Sequence, residues 1–295
     1  MKCFIYECKA DNKNEYYGIE TEVNSEDEIL EKYEIELSHQ TGKASTKFES
    51  HHGFDYISLD VPVVPEILEN QKNHIRIFFV RQRILFFYDD YVNIAFIKEL
   101  FQNAKDGSKT PEFLLQDFFN LLTIKDNKGL QSIESSITNL EDNLISTETF
   151  DCTHDIIVLR KRLLALKQYY EALYEVLASI EENENQLFTP HELKYFSLIA
   201  DRVDRLIHSV INLRDYVTQV REAYQAQVDI SLNKTMKLFT VITAIFLPLT
   251  LLAGWYGMNL KMPEYNFAYG YPVVIAVSVA IVVGLMIYFK KHKWV

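Results

Sequence analysis

NKTMKLFTVITAIFLPLTLLAGWYGMN, residues 233–259, passes from charged, polar helix sequence to apolar sequence within about one turn. No charge appears from Leu238 to Leu260, 23 residues, and a second uncharged run of 25 extends from Tyr265 to Phe289. At ~1.5 Å per residue, each run is long enough to cross a hydrocarbon core of ~30 Å. Two membrane-spanning helices are expected, 238–260 and 271–289, joined by a loop over 261–270 and followed by a basic tail over 290–295. Lys234 and Lys237 precede the first span and Lys290, Lys291 and Lys293 follow the second, whereas the loop carries one Lys and one Glu. The positive-inside rule then makes both termini cytoplasmic and the loop external.

Before the first span lies a long helical stretch. Between Gly129 and Gly254 there is no glycine, and the only prolines are Pro190 and Pro248. Helices are expected at about 130–150 and 153–182, an acidic helical hairpin region over 130–189, with EENENQLF (181–188) as a turn. Thr189-Pro190-His191-Glu192 has the form of a capping box, with Thr as N-cap, Pro at the first helical position and Glu at the third. From there Phe196, Ile199, Val203, Leu206, Val210, Leu213, Val217, Val220 and Tyr224 fall on alternating steps of three and four, a seam for lengthwise packing on other helices. A stalk helix over 190–237 continuous with the first span is expected, and unbroken to Gly254 it would be ~100 Å long. On the same spacing Gln227, Ser231 and Lys234 follow, with Asn233 beside them. Two readings of this polar turn stay open: a wet lumen, or a helix splaying at the membrane surface. Pro248 withholds a donor from the Ala244 carbonyl, which either bends the helix or bares an oxygen.

The first 129 residues alternate strand-like runs, such as KCFIYEC, YYGIETEV and FDYISLDVPVV, with short helices, and HIRIFFV and RILFFYDD flank Arg81-Gln82. They read as an α+β cytoplasmic domain. Residues 1–237 carry 26 basic and 40 acidic side chains, a net charge of −14. That balance argues against nucleic acid as a partner and favours a surface that draws in cations. The N-terminus meets charge at Glu7 and Lys9, too early for a secretory signal. Cys3, Cys8 and Cys152 have no ligand-like spacing and read as reduced thiols, and His51-His52 as a polar turn. No phosphate-cradling glycine loop, nucleophile elbow or metal-ligand cluster is present, so an enzyme is not expected and no organic cofactor is implied.

Two helices cannot enclose a water-filled path, so a pore needs several subunits about an axis. On the first span Asn233, Met236, Phe239 or Thr240, Thr243, Leu247, Thr250 and Gly254 share one stripe that ends near Gly257-Met258-Asn259. The second span, PVVIAVSVAIVVGLMIYF, is apolar all round and suits a lipid-facing outer ring.

Tyr256-Gly257-Met258-Asn259, the apolar stretch before it, Met262-Pro263-Glu264 in the loop, Gly270-Tyr271-Pro272 and the KKHKW tail together resemble the CorA family of magnesium channels. The resemblance is close over 233–295. It implies a funnel-shaped homopentamer in the inner membrane, with the stalk continuous with the pore-lining helix and magnesium, also cobalt and nickel, as the transported ion. It further implies that Gly257, Met258 and Asn259 form the selectivity ring, with the Asn259 carboxamide meeting a hydrated ion and Glu264 in the external loop. Neutral oxygens suit a small cation that dehydrates reluctantly. Asn233 and Thr250 match polar pore positions and Met236, Phe239, Thr243 and Leu247 the narrow gate. Phe239 and Leu247 replace other apolar residues of the family there.

Feedback by cytoplasmic magnesium between subunits is implied as well, with Asp89, Asp90, Asp201 and Asp204 as regulatory candidates. Two rival functions remain: a zinc transporter of the same superfamily, possibly proton-coupled, against which Met258 argues, and a membrane-anchored cation sensor or scaffold that conducts nothing.

Overall fold

The computed structural model describes residues 2–9, 12–23, 25–33, 35, 46–62, 72–88, 95–104, 109–146, 151–258, 269–292 and 294. They divide into two units, Met1–Asn143 with Phe150–Arg221, and Leu144–Thr149 with Glu222–Val295.

In the first unit six strands, β1 (Lys2–Lys9), β2 (Asn12–Glu22), β3 (Lys47–His51), β4 (Phe54–Pro62), β5 (Lys72–Val80) and β6 (Arg83–Tyr88), form one sheet in the order β2-β1-β6-β5-β4-β3. Neighbours are antiparallel throughout. Two hairpins turn on residues with positive φ, Gly53 at 87° and Gln82 at 66°, which join His51 to Phe54 and Val80 to Arg83 as paired ends. His51-His52 thus belongs to a tight turn, with the His51 ring stacked on Phe54.

Both faces of the sheet are covered, which is why β4 and β6 are buried along most of their length with little alternation, β4 taking Asp55 and Ser58 inside with its apolar residues. On one face Cys3, Ile5, Phe54, Tyr56, Phe78, Leu85 and Phe87 pack with Ile29 and Leu30 of α1 (Glu26–Lys32). Burial there pushes the Cys3 thiol up to about 12, with Glu26 adding to it, and all three cysteines are free. On the other face Phe4 stacks on Phe101 of α2 (Ala95–Ala104), and Phe86 meets Phe118 of α3 (Pro111–Ile124).

The rest of the unit is helical: α4 (Asp126–Ser146) as far as Asn143, α5 (Thr153–Glu182), and α6 (Pro190–Tyr256) as far as Arg221. The capping box forms as expected. The Thr189 N–H donates to Glu192 Oε2 at 2.7 Å, and the Glu192 N–H donates to Thr189 Oγ1 at 3.4 Å. All eight seam positions from Phe196 to Val220 are buried. They match heptad sets on α4 (Leu130, Ile133, Ile137, Leu140) and α5 (Ile156, Leu159, Leu163, Leu166, Tyr170, Leu173), also buried.

Gly129 does not begin the helical region but lies inside α4, which starts at Asp126. Buried Leu130 and Ile133, together with a hydrogen bond from the Tyr170 hydroxyl to Asp126 Oδ2 at 3.0 Å, outweigh the ~1 kcal/mol that glycine costs a helix. The turn after α5 is anchored rather than free: Asn185 Nδ2 donates to Asp55 Oδ1 and to the His51 carbonyl, each at 2.7 Å. Asp55 is itself buried, and that burial raises its pKa against the lowering effect of Asn185.

Asp126 yields a pH-dependent expectation. Burial raises its pKa to about 6, opposed by the Tyr170 hydrogen bond. A carboxyl whose folded pKa exceeds its unfolded value of ~3.9 stabilises the fold below that value, and the contribution is lost as pH rises through the folded pKa. At neutral pH the ionised group therefore costs up to about 3 kcal/mol. Asp126→Asn, which keeps an acceptor for Tyr170, should melt several degrees above wild type at pH 7.5, with the two curves converging by about pH 4. A constant difference across that range would show that protonation of Asp126 is not the cause.

Candidate functional site

The second unit contains the end of α6 and α7 (Gly270–Lys291), both apolar and long enough to cross a membrane. Each helix has one covered stripe. On α6 Val241 is buried and Ala244, Ile245, Pro248, Leu249 and Leu252 are half-buried; on α7 Val274, Ser278, Ile281, Val282 and Leu285 are half-buried and Phe289 is buried. At 100° per residue the α6 stripe centres roughly opposite Asn233, Met236, Phe239, Thr243, Leu247 and Thr250. All six are exposed, with Met236, Phe239 and Leu247 at 63%, 61% and 66%. Thr243, Leu247 and Thr250 therefore lie on the exposed side of α6, whereas from Val228 to Thr240 every residue is exposed and no side is covered.

Chemically this face mixes apolar Met236, Phe239 and Leu247 with polar Asn233, Thr243 and Thr250. The Thr250 hydroxyl donates to the Phe246 carbonyl at 2.8 Å, which commits its proton and leaves oxygen lone pairs outward. Thr240 does the same toward Met236 at 2.8 Å. These hydroxyls are therefore acceptors, suited to the water shell of a cation. α6 continues through Pro248, where the Ala244 carbonyl lacks its helical donor.

The helix ends at the signature. The Gly257 N–H donates to the Ala253 carbonyl at 2.8 Å, and a Cβ at residue 257 would stand 2.8 Å from that same oxygen. Only glycine fits this close approach, after which the Met258 N–H turns to the Trp255 carbonyl at 3.4 Å. Met258 is 47% exposed. Asn259 and Glu264 lie outside the described residues.

Asp201 and Asp204 are both exposed on α6 in the first unit. Asp204 Oδ2 is 3.7 Å from His208 Nε2, and Asp201 helps burial to raise the Glu181 pKa. Asp89 and Asp90 lie outside the described residues, and among those described no group of three or more His, Cys, Asp or Glu side chains could hold a metal. Links that the sequence did not suggest tie α6 to its neighbours within this unit. Arg202 Nη1 donates to Asn120 Oδ1 of α3 at 2.7 Å, Gln116 Nε2 of α3 donates to the Glu192 carbonyl at 3.2 Å, and the Tyr216 hydroxyl donates to Glu141 of α4. Nothing local in the sequence marks these partners, which lie 75 or more residues apart.

Comparison with known proteins points one way. The model of a family described as CorA-like Mg2+ transporter protein matches residues 16–291. The cobalt/magnesium transport protein CorA of Thermotoga maritima is 34% identical over 190 residues, 63% of this chain and 53% of that protein. The magnesium transport protein CorA of Helicobacter pylori is 29% identical over 212 residues, 66% of this chain and 64% of that protein. The chain thus matches about half to two thirds of the length of these relatives. Among solved structures, the complete CorA magnesium transporter of Methanocaldococcus jannaschii is similar with a TM-score of 0.79 at 20% identity, covering 99% of this chain and 98% of that one. The full-length CmaX protein is similar with a TM-score of 0.71 at 14% identity, covering 100% and 98%. At these identities the likeness is one of fold.

Gly254 and Gly257 make a matched pair for testing the helix end. An added Cβ at Gly254 meets nothing within 4 Å, whereas at Gly257 it meets backbone. Gly254→Ala should leave thermal stability in detergent unchanged or raise it by up to about 1 kcal/mol, and Gly257→Ala should lower it by a similar amount. Equal effects at both positions would mean that the turn tolerates a side chain.

Proposed function

The chain belongs to the CorA-like Mg2+ transporter protein family, and from that premise we propose that it is a homopentameric, funnel-shaped channel that admits magnesium, with cobalt and nickel, across the inner membrane. The observation that carries the reading is the exposed run of Thr243, Leu247 and Thr250, opposite the covered side of the same helix and continuous with the wholly exposed turns that bear Asn233, Met236 and Phe239. An exposed run of apolar side chains interspersed with outward oxygens suits a wall shared with copies of itself around an axis.

In this reading both termini are cytoplasmic and α7 faces lipid. Asn259 presents a carboxamide oxygen to the incoming hydrated ion, held by the turn that Gly257 makes possible, with Met258 beside it and Glu264 in the external loop. Neutral oxygens bind the water shell without stripping it, which suits magnesium. Met236, Phe239, Thr243 and Leu247 form a constriction that closes by dewetting. Cytoplasmic magnesium closes the channel by bridging carboxylates of neighbouring subunits and relieving the repulsion of a region with net charge −14. Asp201 and Asp204 on α6 are the candidates for that role, paired with Asp89 or Asp90.

The test is ion uptake by the full chain in proteoliposomes, with magnesium, cobalt, nickel and zinc compared side by side. Magnesium should enter, and Asn259→Ala should reduce its uptake at least about tenfold, the loss of roughly 1.4 kcal/mol or more of ion binding, with assembly mass unchanged. Near-normal uptake by the assembled variant would remove Asn259 from selectivity, and uptake of zinc alone would replace magnesium as the cargo.

The gate has its own signature. Leu247→Asn or Phe239→Ser should wet the constriction and raise basal uptake at high internal magnesium several-fold over wild type. If neither does, the barrier lies at another level of α6.

A further inference from the structure

The charges of the second unit are sorted by position. Between Ile230 and His292 the described residues include no Asp or Glu, and the basic side chains are Lys234, Lys237, Lys290, Lys291 and His292. A chain that crosses a bilayer and returns brings the start of one apolar run and the end of the next to the same boundary. Lys237 directly precedes the run of α6, and Lys290, Lys291 and His292 directly follow Phe289 of α7. Among the described residues directly at that boundary the charged side chains are all basic, and the nearest acid on α6, Asp229, stands eight residues before Lys237.

The local geometry gives this end a shape. Lys237 stands one turn before Val241, on the face of α6 that becomes covered, and His292 stands one turn after Phe289, on the covered face of α7. Lys290 and Lys291 are exposed between them. The chain then turns back on the helix: the Trp294 N–H donates to the Phe289 carbonyl at 3.0 Å, and the two rings are 5.8 Å apart. The His292 ring lies 4.6 Å from Tyr288. An aromatic shelf of Tyr288, Phe289 and Trp294 therefore adjoins ammonium groups on long apolar stems. Indole and phenol rings favour the headgroup level, where lysine stems can lie along acyl chain and carry their charge to phosphate.

We propose that this basic end is a binding site for anionic phospholipid. Lys237, Lys290 and Lys291 hold the phosphate-bearing headgroup, and Trp294 with Tyr288 packs along the glycerol and upper acyl chains. A zwitterionic headgroup brings its own cation to the same lysines and binds less well. The site rests on α6 and α7 spanning the bilayer, as proposed above.

Trp294 is its own reporter, because the chain has two tryptophans and Trp255→Phe leaves it alone. The full-length Trp255→Phe protein is reconstituted with brominated phosphatidylglycerol or brominated phosphatidylcholine, and quenching of Trp294 is read against lipid fraction. The glycerol lipid should be preferred about fivefold at low ionic strength, the preference falling toward one in high salt. Replacing Lys237, Lys290 and Lys291 together by Gln should abolish the preference, and replacing them by Arg should keep it. Soluble glycerol phosphate at millimolar concentration should not change the quenching. Equal quenching by both lipids in the Trp255→Phe protein overturns the site while leaving the two spans in place. Loss of the preference on adding glycerol phosphate overturns it in favour of a small-anion site, and absence of quenching by either lipid overturns both the site and the placement of the helix ends at the bilayer.

Discussion

α6 must satisfy two environments along one uninterrupted backbone, and this constraint organises everything else. Its first half has a face of Phe, Ile, Val and Leu that has to be removed from water, so the chain supplies α4 and α5 with matching seams. From Leu238 onward it is apolar nearly all round, with one stripe covered and the remainder exposed. The changeover falls after Val220, where Tyr224 and Gln227 are half-buried and Ser231, Lys234 and Leu238 are bare. The switch is made by side-chain chemistry alone, since no glycine interrupts the backbone before Gly254 and the helix continues past Pro248.

Features written in local chemistry were legible. The capping box at Thr189 needs only three neighbouring residues, and the seam needs only a period, so both stand in the structure where the sequence suggests them. Features that rest on distant partners were not. Strand order depends on β1 finding β6 some 80 residues later, which no spacing rule encodes. Gly129 looks like a helix start until Leu130, Ile133 and the Asp126 hydrogen bond are seen to hold it inside α4. The acidic turn 181–188 looks solvated, yet Asn185 reaches from it to the β3–β4 hairpin. Asp201 and Asp204 are exposed within a single chain, and what faces them in an assembly is beyond the reach of a single-chain sequence pattern.

Two buried acids show how differently such groups can be accommodated. Asp55 accepts from Asn185 and from Ser50 Oγ, so its burial is partly offset by neutral donors. Asp126 has the Tyr170 hydroxyl and no cation among the causes of its shift, and it is pushed to about 6. Both sit where an element must be fixed to a neighbour, the first at the turn entering α6 and the second at the start of α4. Neutral donors hold each carboxylate in place without neutralising its charge.

The exposed length of α6 between Gln227 and Val241 has a consequence for how the chain can change length. Adding or deleting one residue there turns every later position of α6 by 100° about the helix axis, so that Phe246 or Pro248 takes the angular place of Leu247. Seven residues turn them by only about 20°. Length variation in this neck is therefore quantised: whole heptads preserve the phase between the two faces, and single-residue slips exchange one face of the helix for another.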